Sequence, residues 1–164
     1  MPRTREDVET YLSQLDRRFE TDGDTIIVTG GVGSTPIAIH VAPPIVAIRV
    51  AIGPAPDDET HQVRFFRRLL QYNATDLMHA AYGIENGTVV LSAALALDNL
   101  DVNELELTLS DIDLALARHI PSLHKAALDE QLNRLRGLQD PGCLELGGDL
   151  RVDEEVLVQL VCVA

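Results

Sequence analysis

The dipeptide Asn86-Gly87, set between two apolar runs, limits this chain's fold more than any other feature. Both residues tolerate the positive φ that a type I′ turn requires, and a two-residue loop fixes the register of the strands on either side. That register places Ile84 opposite Val89 and Tyr82 opposite Leu91. The same face continues into Leu95 and Leu97, so turn chemistry and hydrophobic alternation agree. A hairpin here commits the chain to a sheet, and the other elements must be built around it.

Three strand-like runs precede it. Residues 25–29 are β-branched throughout. Pro36 to Val41 alternates, with Ile37, Ile39 and Val41 on one face, and Ile45 to Ile52 alternates with Val46, Ile48, Val50 and Ile52 on one side. Gly30-Gly31-Val32-Gly33 separates the first two runs and Pro43-Pro44 the last two, which predicts an antiparallel meander.

Helical periodicity appears in three places. Over residues 4–20, Val8, Tyr11, Leu12, Leu15 and Phe19 recur at three- and four-residue steps, with Thr4 as the cap and Glu6 and Asp7 in the first turn. A second helix follows Asp57-Asp58 and carries Val63, Phe66, Leu69, Leu70 and Asn73, with an extension toward Leu77. Asp101 and Glu104 resemble a capping box before a third helix, striped by Leu105, Leu109, Ile112, Leu116, Ile120, Leu123 and Ala127. Pro121 is expected to kink or split it.

The fold class read from this order is α+β: helix, three-stranded antiparallel meander, helix, β-hairpin and long C-terminal helix. At 164 residues the chain has room for one domain with a real core, drawn here as 1–136. Residues 137–164 are an extension packed on the same domain or on a dimer mate. Within it, Leu144 to Leu146 reads as a short strand, and Val156 to Val163 as a strand with a helix as the alternative.

The chemistry-bearing motifs fail on their contexts. Gly30 to Thr35 lacks the lysine of a P-loop and is followed by a strand where a phosphate cradle needs a helix. The five histidines, His40, His61, His79, His119 and His124, have no zincin spacing and read as surface or half-buried side chains. The acidic residues from Asp98 to Asp113 have no EF-hand spacing. Ser92 and Ser110 have no nucleophile-elbow context. We therefore expect no catalytic residues, metal or cofactor. Cys143 and Cys162 match no disulfide framework and read as reduced thiols.

The charged start, MPRTREDVETYL, is unlike a signal peptide, and no apolar run is long enough to span a membrane. Both point to a cytoplasmic protein. The formal net charge of −13 disfavours nucleic acid and anionic lipid as partners. Arg64, Arg67 and Arg68 are the local exception, sharing one helix face as a solvated surface or as a contact for an anion or acidic peptide.

A sheet covered by helices on one side normally shows water a polar second face. Here the outward positions are Ile45, Ala47, Arg49 and Ala51 on one run and Val90, Ser92, Ala94 and Ala96 on another. These are small and mostly apolar. Something flat should cover them: the C-terminal segment, a second copy of the chain, or a partner. Ile45, Ala47, Ala51, Val90, Ala94 and Ala96 are thus the candidate partner-binding or dimer face.

The segment Leu-Leu-Gln-Tyr-Asn-Ala (69–74), the hairpin from Ile84 to Leu91, and Leu97-Asp98-Asn99-Leu100 complete the pattern. In that order of elements, over residues 4–135, the chain resembles the YbjN family and the type III secretion chaperones of the CesT kind. The resemblance implies a homodimer. In secretion chaperones it implies wrapping an extended segment of a client protein, and in YbjN-like proteins a regulatory, stress-related role. The expected function is a non-enzymatic, protein-binding adaptor or chaperone-like regulator, and the alternative is a small-molecule or lipid-binding sensor with a cleft near Pro121.

Overall fold

The structure is a computed structural model that describes residues 3–29 and 35–137, with side chains described as far as residue 123. Its elements are α1 (Arg5–Gln14), β1 (Arg18–Asp22), β2 (Thr25–Thr29), β3 (Ile37–Ala42), β4 (Ile45–Pro54), α2 (Glu59–Thr75), β5 (Ala81–Glu85), β6 (Thr88–Ala96) and α3 (Val102–Gly137). The α+β order expected from the sequence is observed, with one strand more. The chain divides into two units, 1–131 and 132–164, and the core described here belongs to the first. The glycine-rich loop 30–34, the strands expected in the tail, Cys143 and Cys162, and the side chains of Ala127 and His124 lie outside the described residues.

The extra strand comes from the end of α1. The helix does not run to residue 20. It stops at Gln14 in a Schellman motif, with Arg17 N–H donating to the Leu12 carbonyl (3.0 Å) and Asp16 N–H to the Ser13 carbonyl (3.2 Å). Asp16 occupies the left-handed position, φ 54°, where glycine is the usual residue. Arg17 then reaches Asp113 on α3 at 2.6 Å, with both side chains largely shielded from water. Phe19, expected on the helix stripe, instead packs against the core from β1.

All six strands pair antiparallel in one sheet of order β1-β2-β3-β4-β6-β5. The Asn86-Gly87 hairpin has the expected register, Ile84 with Val89 and Tyr82 with Leu91, and both turn residues have positive φ, 51° and 77°. A cis Pro43-Pro44 peptide makes the β3–β4 turn. Alternate residues of every long strand point inward: Ile26 and Val28, Ile37 and Ile39, Val46, Ile48 and Val50, then Val89, Leu91, Ala93 and Leu95. They meet Val8 and Leu12 of α1 and Leu105, Leu109, Ile112 and Leu116 of α3 in one buried cluster.

Helix α2 is rotated from the stripe read in the sequence. Val63 and Leu70 are 57% and 67% exposed, and the core-facing arc is Phe65, Phe66, Leu69 and Tyr72. Asn73 accounts for the rotation. Its amide accepts the Tyr82 N–H at 2.7 Å and donates to the Tyr82 carbonyl at 3.1 Å, acting as a two-bond strand mimic on the outer edge of β5. The helix ends at Thr75, short of Leu77, because the following turn is held elsewhere: the N–H groups of Met78, His79 and Ala80 all donate to the Asp111 carboxylate.

Pro121 does not split α3, which is one helix from Val102 to Gly137. The carbonyl of Ala117 loses its usual donor there, but Ala117 is exposed and water can serve it. Asp101 caps the helix start by accepting the Glu104 N–H at 2.8 Å.

The Asn73 clamp is testable. Asn73→Leu keeps the bulk but leaves the Tyr82 main-chain groups without their partner, so stability should fall by about 1–3 kcal/mol. Urea unfolding should show a lower midpoint with an unchanged slope.

Candidate protein-binding surface

The outer face of the sheet is assembled by pairing register. Ile45 lies opposite Ala96, Ala47 opposite Ala94, Arg49 opposite Ser92 and Ala51 opposite Val90. The rows continue into β3, where Ala42, His40 and Ala38 pair with Ile45, Ala47 and Arg49. Ala81 and Gly83 of β5 extend them past Ser92 and Val90. The six residues singled out from the sequence, Ile45, Ala47, Ala51, Val90, Ala94 and Ala96, therefore share one face on two adjacent strands. Among the described residues no element covers it: Ile45 is 44% exposed, Ala51, Ala94 and Ala96 are exposed, and Ala47 and Val90 are half-buried.

Small side chains leave the main chain of this face near the surface. An open depression of about 340 Å³ lies there, lined by Thr25, Ala38, His40, Ala47 and Arg49. Charges frame the small-residue band: Arg49 bridges to Glu85 at 2.6 Å, and Arg18, Glu20 and Asp22 project from β1. A second depression, of about 280 Å³, is lined by Asp16, Arg17, Arg18 and Thr29. Neither includes Pro121, where a sensor cleft was expected.

The two sheet edges differ. On β5 the Asn73 amide takes the outward N–H and carbonyl of Tyr82, which blunts that edge against an added strand. On β1 the residues are polar and exposed apart from Phe19.

Arg64, Arg67 and Arg68 are exposed on the outward arc of α2, away from the sheet face. Val63 and Leu70 border Arg67 on the same helix, and Ile84, 46% exposed, lies on the neighbouring β5. Val63 and Leu70, expected on the core stripe, are exposed instead, because a helix with apolar residues on two arcs does not announce which one faces the core.

Sequence reasoning also missed a buried polar cluster. His119, expected at the surface or half-buried, is 3% exposed and stacks on Tyr72 with ring centroids 3.8 Å apart. Its Nδ1 lies 3.0 Å from the Tyr82 hydroxyl and its Nε2 3.1 Å from the Asp76 carboxylate. With the proton on Nε2 donated to Asp76, Nδ1 accepts the Tyr82 O–H. The ring thereby ties α3 to the end of α2 and to β5. Burial first, then the neighbouring Tyr72 and Asp76, pushes the Tyr82 hydroxyl above its ordinary value. The only signal in the sequence was the position of His119 beside Ile120 on an otherwise aliphatic stripe. Among the described residues no group of three or more His, Cys, Asp or Glu could hold a metal, and no helix is long and apolar enough to cross a membrane.

The family model CesT_Tir_1 matches residues 1–129. The chain belongs to this type III chaperone family. The fold also resembles those of solved structures. A chain of the heterodimeric ExoU–SpcU complex from the type III secretion system of Pseudomonas aeruginosa aligns with a TM-score of 0.57 at 19% identity, covering 70% of this chain and 95% of that one. YbjN from E. coli aligns with a TM-score of 0.53 at 11% identity, over 71% and 90%. A chain of the HopA1–SchA chaperone–effector complex aligns with a TM-score of 0.51 at 12% identity, over 70% and 89%. No curated protein matches the chain in sequence.

The Asp76 carboxyl is held below its ordinary value of 3.8, first by the Thr75 hydroxyl (2.6 Å) and then by His119. A depressed carboxyl stabilises the fold above its unfolded value, and that contribution is lost as pH falls through the folded one. Asp76→Asn should therefore be less stable than the native chain at neutral pH, with the gap closing below pH 3.8. Urea midpoints of the two proteins across that range provide the check.

Proposed function

We propose that this protein is a non-enzymatic chaperone-like adaptor, acting as a homodimer, that holds a segment of another protein against the outer face of its sheet. The observation that carries the reading is the band of small, mostly apolar residues on β4 and β6, left open among the described residues. A soluble domain seldom leaves such a face to water unless something docks there. Membership of a chaperone family supports the reading, as do similar folds found within a chaperone–effector complex and a heterodimeric secretion-system complex.

An extended segment suits this face. Ala47, Ala94 and Ala96 let a backbone approach closely, while the depression between His40 and Arg49 accepts one side chain. Strand addition has a preferred side too, since Asn73 blocks the middle of β5 and leaves β1. The homodimer needs its own apolar contact, and Val63, Leu70 and Ile84 supply exposed large side chains on two neighbouring elements.

The test uses the tagged full chain for co-purification and for sedimentation. Ala94→Asp places a charge in the middle of the outer face at an exposed position, so the variant should fold and remain dimeric but lose the protein retained by the native chain. Val63→Asp with Leu70→Asp should sediment as a monomer. Retention of the same protein by Ala94→Asp would remove the outer face from consideration, and a native chain that sediments as a monomer would sink the homodimer.

A further inference from the structure

Helix α2 carries Arg64, Arg67 and Arg68 at i, i+3 and i+4, all exposed. Like charges at these spacings repel across the helix surface and weaken it. The sequence could relieve them at little cost. The chain has 26 Asp and Glu against 13 Lys and Arg, yet no carboxylate stands three or four residues from any of the three on α2. Three other arginines in the fold are engaged: Arg5 with Glu9, Arg17 with Asp113 and Arg49 with Glu85. Among the described residues none of the α2 three takes part in an ion pair or hydrogen bond.

We infer that the arginine edge of α2 docks an acidic segment of a partner protein, with its carboxylates on Arg64, Arg67 and Arg68, beside the dimer contact proposed for Val63 and Leu70. Charge complementarity names the occupant. Guanidinium groups hold carboxylates through paired N–H donors, so unpaired arginines on an acidic molecule select carboxylate-bearing chains at short range. The net charge of −13 opposes an extended phosphate backbone at long range, while a short acidic segment pays less of that repulsion.

A second copy is the poorer occupant of the arginine edge. A two-fold contact sets the same patch against itself and would bring arginines toward arginines. Arg64 and Arg68 lie a quarter-turn or more round the helix from Val63, so they remain outside a dimer contact centred on Val63 and Leu70. The inference goes beyond the sheet-face reading and does not depend on it.

The test is fluorescence anisotropy on the full chain with a short labelled helical peptide carrying alanines and glutamates, the glutamates at every third and fourth position. Companion peptides carry glutamine or lysine in place of glutamate, and a uridylate oligomer serves as the nucleic-acid probe. The glutamate peptide should bind, weaken with added salt, and lose about tenfold or more in affinity against Arg64→Glu/Arg68→Glu. That variant should gain affinity for the lysine peptide, which a merely misfolded protein would not do. Arg67→Gln should shift affinity the same way by less. Equal binding of the glutamate and glutamine peptides would overturn the inference, as would arginine-dependent binding of the uridylate oligomer. So would conversion of the double variant from dimer to monomer in sedimentation, which would assign the edge to the contact between copies. None of these results bears on Ala94→Asp, so failure here is separable from failure of the sheet-face reading.

Discussion

The ladder between β4 and β6 joins the two halves of the chain, and the other features of the fold are hung on it. It runs from Ile45 opposite Ala96 to Pro54 opposite Thr88, with a shift of register between Ala51 and Gly53 that lets the long strands stay paired. Since side chains alternate with a period of two, this one register sorts both faces at once. Val46, Ile48 and Val50 meet Leu95, Ala93 and Leu91 inside, and Ala47, Ala51, Ala94 and Ala96 fall outside. A slip by one residue would bury Arg49 and expose Ile48. The short turns at either end of the ladder, Pro43-Pro44 and Asn86-Gly87, help to hold the register.

The two faces of each strand were legible because alternation states them locally, but the pairing of β4 with β6 was not: the Asn86-Gly87 turn named only β5 as a partner of β6. The end of α1 was not legible either. A Schellman motif normally advertises itself with glycine, whereas Asp16 takes the left-handed conformation here, and the stripe through Leu15 and Phe19 continued past it. Phe19 is compatible with either element, so periodicity alone could not stop the helix. The Asp22-Gly23-Asp24 stretch, a local turn signal with Gly23 at positive φ, closes β1 onto β2.

Helix α2 shows a different limit. Its sequence offers apolar residues on two arcs, one with Phe65, Phe66, Leu69 and Tyr72 and one with Val63 and Leu70. Hydrophobicity does not choose between them strongly. The choice is made by partners distant in sequence: the Tyr82 main chain for Asn73, and the His119 ring for Tyr72. A polar residue in the middle of a buried arc is the trace such an arrangement leaves in sequence, since an amide there must find two bonds. The same logic applies to His119, whose two nitrogens are both engaged. The candidate sheet face could be listed residue by residue, but the exposed pair on α2 could not, because exposure there depends on contacts absent from the local sequence.

The physical character of the sheet face bears on how it would bind. Alanine, serine and glycine bury little area each, so a partner lying on them gains little from any single contact. Its gain comes from the partner's own larger side chains and from close approach to a flat backbone surface. Selectivity must then be supplied by the few distinctive features: Ile45 at one end, the depression between His40 and Arg49, and the charged rim of Arg18, Glu20, Asp22 and Glu85. A face of this kind tolerates many apolar sequences and discriminates mainly by charge and by length of extended chain. Such permissiveness fits a chaperone that must grip a segment firmly enough to cover it and still release it, since many modest contacts can be broken one after another where a single deep anchor would have to be extracted at once.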